Sequence, residues 1–384
     1  MQKNIRLLAL FNFFTDFHLY SAILIIYFVQ VVESYALAMS IFSVAMVSSA
    51  IFELPTGIFS DYIGRRKTMI LGAICSVLSV ALYAVGTSYL VLVMGALFEG
   101  LRRAFYSGNN DALLYESLTE TRQKHQYEIY LGKTSSLFQV AATVGIVIGG
   151  FIATWSFPLV MWLSVIPQLV CLGISFRIVE PKRRRADNGN VYAHIGEAVG
   201  KTLNNRKLRL LSLHHVIAYA VGESTYQFRA AFVNLFWPLW AISFSKVLSS
   251  MGATASYWYS GKILRKFGAL RILLIATTYG KVVNIGAILL ANVFSPVLLA
   301  TTSLFHGVST VAKSKLMQDE FTDAQRSTLG SLNSLLGNLA FGIFAAVLGV
   351  WADAYGPTKA LLYAYILSIP SMYIIWLLFT QRNR

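Results

Sequence analysis

Apolar stretches long enough to cross a membrane recur along the whole chain and set its plan. A hydrocarbon core about 30 Å thick takes roughly 20 residues of α-helix. In the first half such stretches run near Leu7 to Val31, Ala36 to Phe59, Met69 to Gly86, Tyr89 to Ser107, Ser136 to Thr154 and Leu159 to Phe176. In the second they run near Leu208 to Ala230, Phe236 to Ser256, Ile272 to Ala291, Pro296 to Val311, Thr328 to Trp351 and Ala360 to Thr380. The pattern predicts an all-α integral membrane protein of about twelve transmembrane helices, six before and six after a polar segment at the midpoint. The expected division is a first bundle over residues 1–178, a basic linker over 179–207 and a second bundle over 208–384.

The loops supply a separate reading, because short loops rich in Lys and Arg stay in the cytoplasm. Lys3 and Arg6, Arg65 to Lys67, Arg122 to Lys133, the linker, Lys262 to Arg271, Lys313 to Arg326 and Arg382 to Arg384 fall on one side. The opposite loops hold Glu33 and Asp353, with Arg229 and Lys359 as their main positive charges. Both termini are therefore expected in the cytoplasm, in a multi-pass protein of the cell inner membrane. The first apolar stretch lacks a signal-peptide cleavage pattern and is expected to remain as the first span.

Composition agrees with the spans. Of 384 residues, 56% are hydrophobic and 13% charged, where a soluble domain carries about 25% charged residues. The net charge of +15 is spread over loops between apolar stretches, which is not the single basic face of a nucleic-acid binder. The linker run Pro181 to Arg185 reads as a topology determinant beside anionic membrane lipid. Cys75 and Cys171 fall inside apolar runs and read as small hydrophobes. No metal-ligand cluster, nucleophile motif or phosphate-binding loop stands in the sequence, so neither an enzyme nor an ATP-driven pump is expected.

After the second span comes Gly57-Ile58-Phe59-Ser60-Asp61-Tyr62-Ile63-Gly64-Arg65-Arg66-Lys67. Its spacing resembles the loop signature of the major facilitator superfamily: glycine, three residues, aspartate, two residues, glycine and two basic residues. The chain departs in having Tyr62 where that family usually has arginine. The resemblance implies a two-bundle transporter fold, and for Asp61 a place near a helix terminus of the other half that helps hold the outward-facing state. Arg65 or Arg66 is expected to pair with Asp111 or Glu116. Gly261, Arg265 and Gly268 repeat Gly57, Asp61 and Gly64 at a constant offset of 204, with arginine in the aspartate position. That echo points to duplicated, pseudo-symmetric halves, the arrangement from which such transporters build a midplane site.

In the fifth span Gly132, Ala141, Gly145, Ile146, Gly149 and Gly150 follow the spacing of the family's antiporter signature, with Ala141 and Ile146 departing from its glycine and proline. The same glycines equally suit close helix packing. Ionisable groups within spans are functional candidates by default, because burying them is costly. They are Asp16, Glu99, Arg102 and Arg103 in the first half, and Glu223, Lys246, Lys281 and His306 in the second. Asp16 lies near the middle of its span, and Glu99 stands at helical i,i+3 and i,i+4 spacing to Arg102 and Arg103. Asp16 or Glu99 is expected to exchange a proton, unless Glu99 forms a permanent buried ion pair with Arg102. Lys246 and Lys281 either meet an anionic substrate or pair with Glu223. Tyr20, Tyr27, Phe98, Phe105, Tyr106, Trp237 and Trp240 line an apolar cavity or sit at the membrane interface.

These features predict a monomeric transporter of a small molecule, driven by the proton gradient without any other cofactor. The expected activity is drug-type efflux of an organic or lipophilic compound. Proton symport of a metabolite or organic anion is the alternative, and a non-transporting sensor or scaffold is the rival of another class.

Overall fold

The computed structural model describes residues 2–107, 109–181, 200, 202, 204–319 and 326–382. The basic run at 182–185 and Arg384 lie outside the described residues, as does the side chain of Asp61. Every regular element among the described residues is helical.

Before the linker these elements are α1 (Gln2–Thr15), α2 (Leu24–Val32), α3 (Tyr35–Ile63), α4 (Arg65–Val85), α5 (Tyr89–Tyr106), α6 (Asn109–Glu120), α7 (Tyr127–Ala153) and α8 (Phe157–Arg177). After it come α9 (Arg206–Val233), α10 (Leu239–Phe267), α11 (Ala269–Leu290), α12 (Ser295–Thr301), α13 (His306–Gln318), α14 (Arg326–Leu367) and α15 (Ile369–Arg382). Counted as membrane passages, they make six before the linker and six after it.

The first, tenth and twelfth expected spans are not single helices, the twelfth being divided at Ser368 between α14 and α15. The first is interrupted at residues 16–23 between α1 and α2. The tenth breaks at a 3-10 turn, Thr302–Phe305, and then runs on to Gln318, past the expected end at Val311. The eleventh and twelfth, expected to be separated by a loop, are joined end to end through Gly356, whose φ of 82° lets the chain turn ahead of Pro357.

Six segments among the described residues are long and apolar enough to cross a membrane by composition alone, the last of them, Leu332–Thr380, holding two passages. The passages that fall short are the first, fourth, seventh, eighth and tenth. These hold Asp16, Glu99, Glu223, Lys246 and His306 respectively. The first and tenth fall short because they are interrupted, α1, α2, α12 and α13 being 14, 9, 7 and 13 residues long, whereas α5 carries Glu99, Arg102 and Arg103 within its 18 residues.

Contacts divide the chain into two compact units, residues 1–33 with 41–187 and residues 34–40 with 188–384. In the first unit, Ile5, Leu8 and Phe11 of α1 pack with Met69 of α4, Leu113 of α6 and Cys171 of α8. Cys75 and Cys171 are buried free thiols. In the second, Leu208 and Leu211 of α9 pack with Leu273 of α11, Val308 of α13 and Ile375 of α15.

The duplication is visible in the backbone. Gly64 (φ 106°, ψ 154°) and Gly268 (φ 80°, ψ 149°) both precede a helix in the same left-handed, extended conformation. Only glycine adopts it without strain.

The second unit includes the first residues of α3. There the Asp353 carboxylate accepts hydrogen bonds from the Tyr35 N–H (2.6 Å), the Ala36 N–H (3.0 Å) and the Ser34 hydroxyl (2.6 Å). Two otherwise unpaired amides at the helix start are satisfied by an anion placed where the helix dipole favours one. Asp353, expected in a loop, lies within α14.

Candidate functional site

The interruption of the first passage creates the site in the first unit. Asp16, His18 and Tyr20 lie in the eight-residue break, and α7 makes room for it. A Cβ on Gly149 would overlap the Leu19 carbonyl oxygen, and one on Gly145 would come within 3.2 Å of the His18 carbonyl oxygen. Gly145 and Gly149 therefore allow close approach of irregular backbone. Gly132 has open space around it.

Opposite the break, α5 carries the charges. Glu99 accepts from Arg103 through Nε (3.0 Å) and Nη2 (2.7 Å), and from the Tyr83 hydroxyl (2.9 Å). Arg102 Nη2 stands 3.9 Å from the same carboxylate. The close partner is therefore Arg103 at i,i+4 and not Arg102, the residue expected in a permanent pair with Glu99. Arg102 is buried, and Arg103 is 40% exposed at its side chain.

Asp16 is within electrostatic reach of Arg102 and Arg103. Among the described residues, however, its carboxylate accepts no hydrogen bond and forms no ion pair. His18, which sequence reasoning missed, is buried at 8% exposure with both ring nitrogens unpartnered, 5.0 Å from the Tyr20 ring. The signal for it was its place beside Asp16, two polar groups together inside an apolar stretch.

At the end of this unit where the basic loops lie, the signature hairpin is tied down. Arg65 Nε is 3.3 Å from Glu116 Oε1, one of its two expected partners, and Arg65 Nη1 donates to Ser60 Oγ at 3.0 Å. Glu180, also missed, accepts the backbone N–H of both Arg65 and Arg66 at 2.8 Å. It caps α4 from the far end of the unit's sequence, and its carboxylate lies where a Cβ on Gly64 would project. Arg66 Nη2 donates to the Phe176 carbonyl at 2.9 Å. Around Gly57 there is open space.

The second unit holds the remaining candidates. The Lys281 ammonium group donates to the Ser368 hydroxyl, and Glu223 accepts from Gln227 at 2.8 Å. Lys246 is buried, its ammonium 4.5 Å from the centre of the Tyr226 ring. His306 begins α13 with its ring edge-on to Tyr257. Arg229, expected at a loop boundary, lies inside α9, where Nε donates to the Tyr365 hydroxyl (3.0 Å) and Nη2 to Asn284 Oδ1 (2.9 Å). Of the expected cavity aromatics, Tyr20 and Tyr27 are buried and Trp240 is 43% exposed.

Interrupted helices with buried charge on a few of them recur among membrane transporters. The family model of the Major Facilitator Superfamily matches residues 6–343, and the chain belongs to that family. Among solved structures, the nucleoside transporter NupG superposes with a TM-score of 0.80 at 13% identity, over 98% of this chain and 99% of that one. A bacterial homologue of the human lysosomal transporter Spinster gives 0.77 at 14%, over 98% and 96%. A POT family transporter in complex with a thioalcohol-conjugated peptide gives 0.74 at 13%, over 99% and 96%. At such identities the likeness is one of fold. No curated protein sequence matches the chain.

Proposed function

We propose that this membrane transporter is coupled to protons, works by alternating access on a small organic compound, and exchanges its proton at Asp16. The observation that carries the reading is the contrast between the two carboxylates of the first unit. Glu99 is held by two arginines and a tyrosine hydroxyl, so protonating it would strand two cations. Asp16 has no such partner and stands in irregular backbone within reach of the same arginines. A carboxylate so placed can change protonation state without dismantling a network, and movement of Arg102 or Arg103 would change its proton affinity. In this reading the proton gradient is the energy source, both termini are cytoplasmic, the membrane is the cell inner membrane, and the monomer is the working unit.

Drug-type efflux is the direction suggested by the span-five glycines, two of which, Gly145 and Gly149, also pack against the break. One observation favours the symport reading for an organic anion: Arg229 and Lys281 are held by neutral oxygens. The deciving experiment is proton movement in proteoliposomes containing an interior pH dye, with benzoate, uridine and tetraphenylphosphonium as probes. Compound-dependent flux that vanishes in Asp16→Asn supports the proposal, and its sign separates symport from antiport. Flux unchanged in Asp16→Asn, or none with any probe, removes Asp16 from the coupling role.

A further inference from the structure

The second copy of the glycine hairpin carries its charge differently from the first. At the offset of 204, the positions of Ile58, Asp61 and Tyr62 hold Lys262, Arg265 and Lys266, and those of Arg65 and Arg66 hold Ala269 and Leu270. In the first copy the two arginines follow the turn and are tied to Glu116, Ser60 and the Phe176 carbonyl. In the second, three cations precede the turn on the last turns of α10, Arg271 follows it on α11, and all four are exposed. Among the described residues none of the four takes part in a hydrogen bond or an ion pair, and Lys266 lies 5.3 Å from the centre of the Phe267 ring. Neither α10 nor α11 contains an aspartate or glutamate that could offset them.

These cations stand at the end of an apolar track. Phe244, Leu248, Met251 and Trp258 are exposed on α10, Trp258 at 81%. Together with Lys262, Arg265 and Lys266 they fall within an arc of about 100° of the helix surface. From Phe244 to Trp258 the track runs about 21 Å at 1.5 Å per residue, more than the roughly 15 Å of one leaflet. An apolar face, an exposed tryptophan at its end and cations one turn beyond follow the order of acyl chain, interface and phosphate in a phospholipid.

The hairpin backbone also suits an anion. At Gly64 the Glu180 carboxylate accepts from the first two amides of α4. Gly268 holds the same conformation ahead of α11, with open space around it and, among the described residues, no side chain accepting from the Ala269 and Leu270 amides. We infer that this face of the second unit binds an anionic phospholipid, its phosphate among Lys262, Arg265, Lys266 and Arg271 and its acyl chain along Phe244, Leu248 and Met251. The surface charge selects an acidic headgroup over a zwitterionic one. The inference stands apart from the transported compound and from proton coupling.

The test is thermal unfolding of the purified protein in uncharged detergent, titrated with phosphatidylglycerol, phosphatidylcholine or glycerol 3-phosphate. The two lipids share their chains and differ in net charge, and glycerol phosphate carries the charge without chains. Phosphatidylglycerol is expected to raise the unfolding temperature saturably, at a half-saturating mole fraction that rises with salt, while the other two have little effect. In the triple variant Lys262→Gln, Arg265→Gln, Lys266→Gln that mole fraction is expected to rise about fivefold for each cation lost. The three side chains are exposed, so the variant is expected to fold, and Arg265→Gln alone carries the test if it does not. The variant Arg122→Gln, Lys124→Gln, Lys133→Gln removes as many cations from the first unit and is expected to respond as the parent does. Equal responses to the two lipids overturn the inference, as does an unchanged midpoint in the α10 variant or an equal loss in the first-unit variant. A response to glycerol phosphate matching that to phosphatidylglycerol overturns it as well, by showing a site for soluble phosphate.

Discussion

The Leu19 carbonyl oxygen occupies the space that a side chain on Gly149 would need. The interruption of the first passage and the glycines of the fifth are thus one feature seen from two sides. Backbone that leaves helical geometry inside a membrane is tolerated where it is buried in protein, and here α7 provides the cover. Gly149→Val is therefore expected to displace residues 18–19 and lower transport by about tenfold or more, since a displacement near 1 Å costs that order of rate. Gly132→Ala, with open space around it, is expected to transport normally. Flux in proteoliposomes, normalised to folded protein by size-exclusion chromatography, checks both.

The two carboxylates of the first unit are expected to separate stability from function. Asp16→Asn removes an unpaired charge and is expected to leave the unfolding temperature unchanged or higher while abolishing coupled proton movement. Glu99→Gln leaves Arg102 and Arg103 without their anion. It is expected to destabilise the protein by about 2–4 kcal/mol, less than full burial would give because Arg103 is 40% exposed. Thermal unfolding of both variants in one detergent is the measurement.

The repeated glycines give a matched pair. Gly64→Ala combines a backbone φ of 106° with a Cβ placed 2.7 Å from the Glu180 carboxylate, whereas Gly268→Ala meets strain at φ 80° and open space. Strain alone costs about 1–3 kcal/mol. The first substitution is expected to lower the unfolding temperature more than the second, and the difference should shrink when both are made in a Glu180→Ala background. Equal losses in the two glycine variants would show that the Glu180 contact adds nothing.

Asp353→Ala removes the acceptor from the Tyr35 and Ala36 amides. The expected loss is about 1–2 kcal/mol, the worth of a helix cap, and Asp353→Asn should lose less because its amide oxygen can still accept. Hydrogen exchange at the Tyr35 and Ala36 amides, faster in the alanine variant, checks that the loss arises there.

Much was legible in the sequence because membrane crossing imposes a one-dimensional rule. A helix satisfies its own backbone groups, so length and apolar content locate the passages, and the spacing of Glu99 to Arg102 and Arg103 carries its own geometry. Gly64 and its echo Gly268 were likewise readable, since turns that demand positive φ leave glycine behind. The local sequence at residues 16–23 has no proline or glycine to announce a break; the clearance for it lies on α7, more than 120 residues away. Glu180 reaches Arg65 and Arg66 from 115 and 114 residues along the chain, and Arg229 finds Asn284 and Tyr365 on two other helices. Sequence thus determined how many times the chain crosses and which charges it carries across. Tertiary structure decided which charges are paired and by which partners, because pairing depends on helix contacts that no local pattern records.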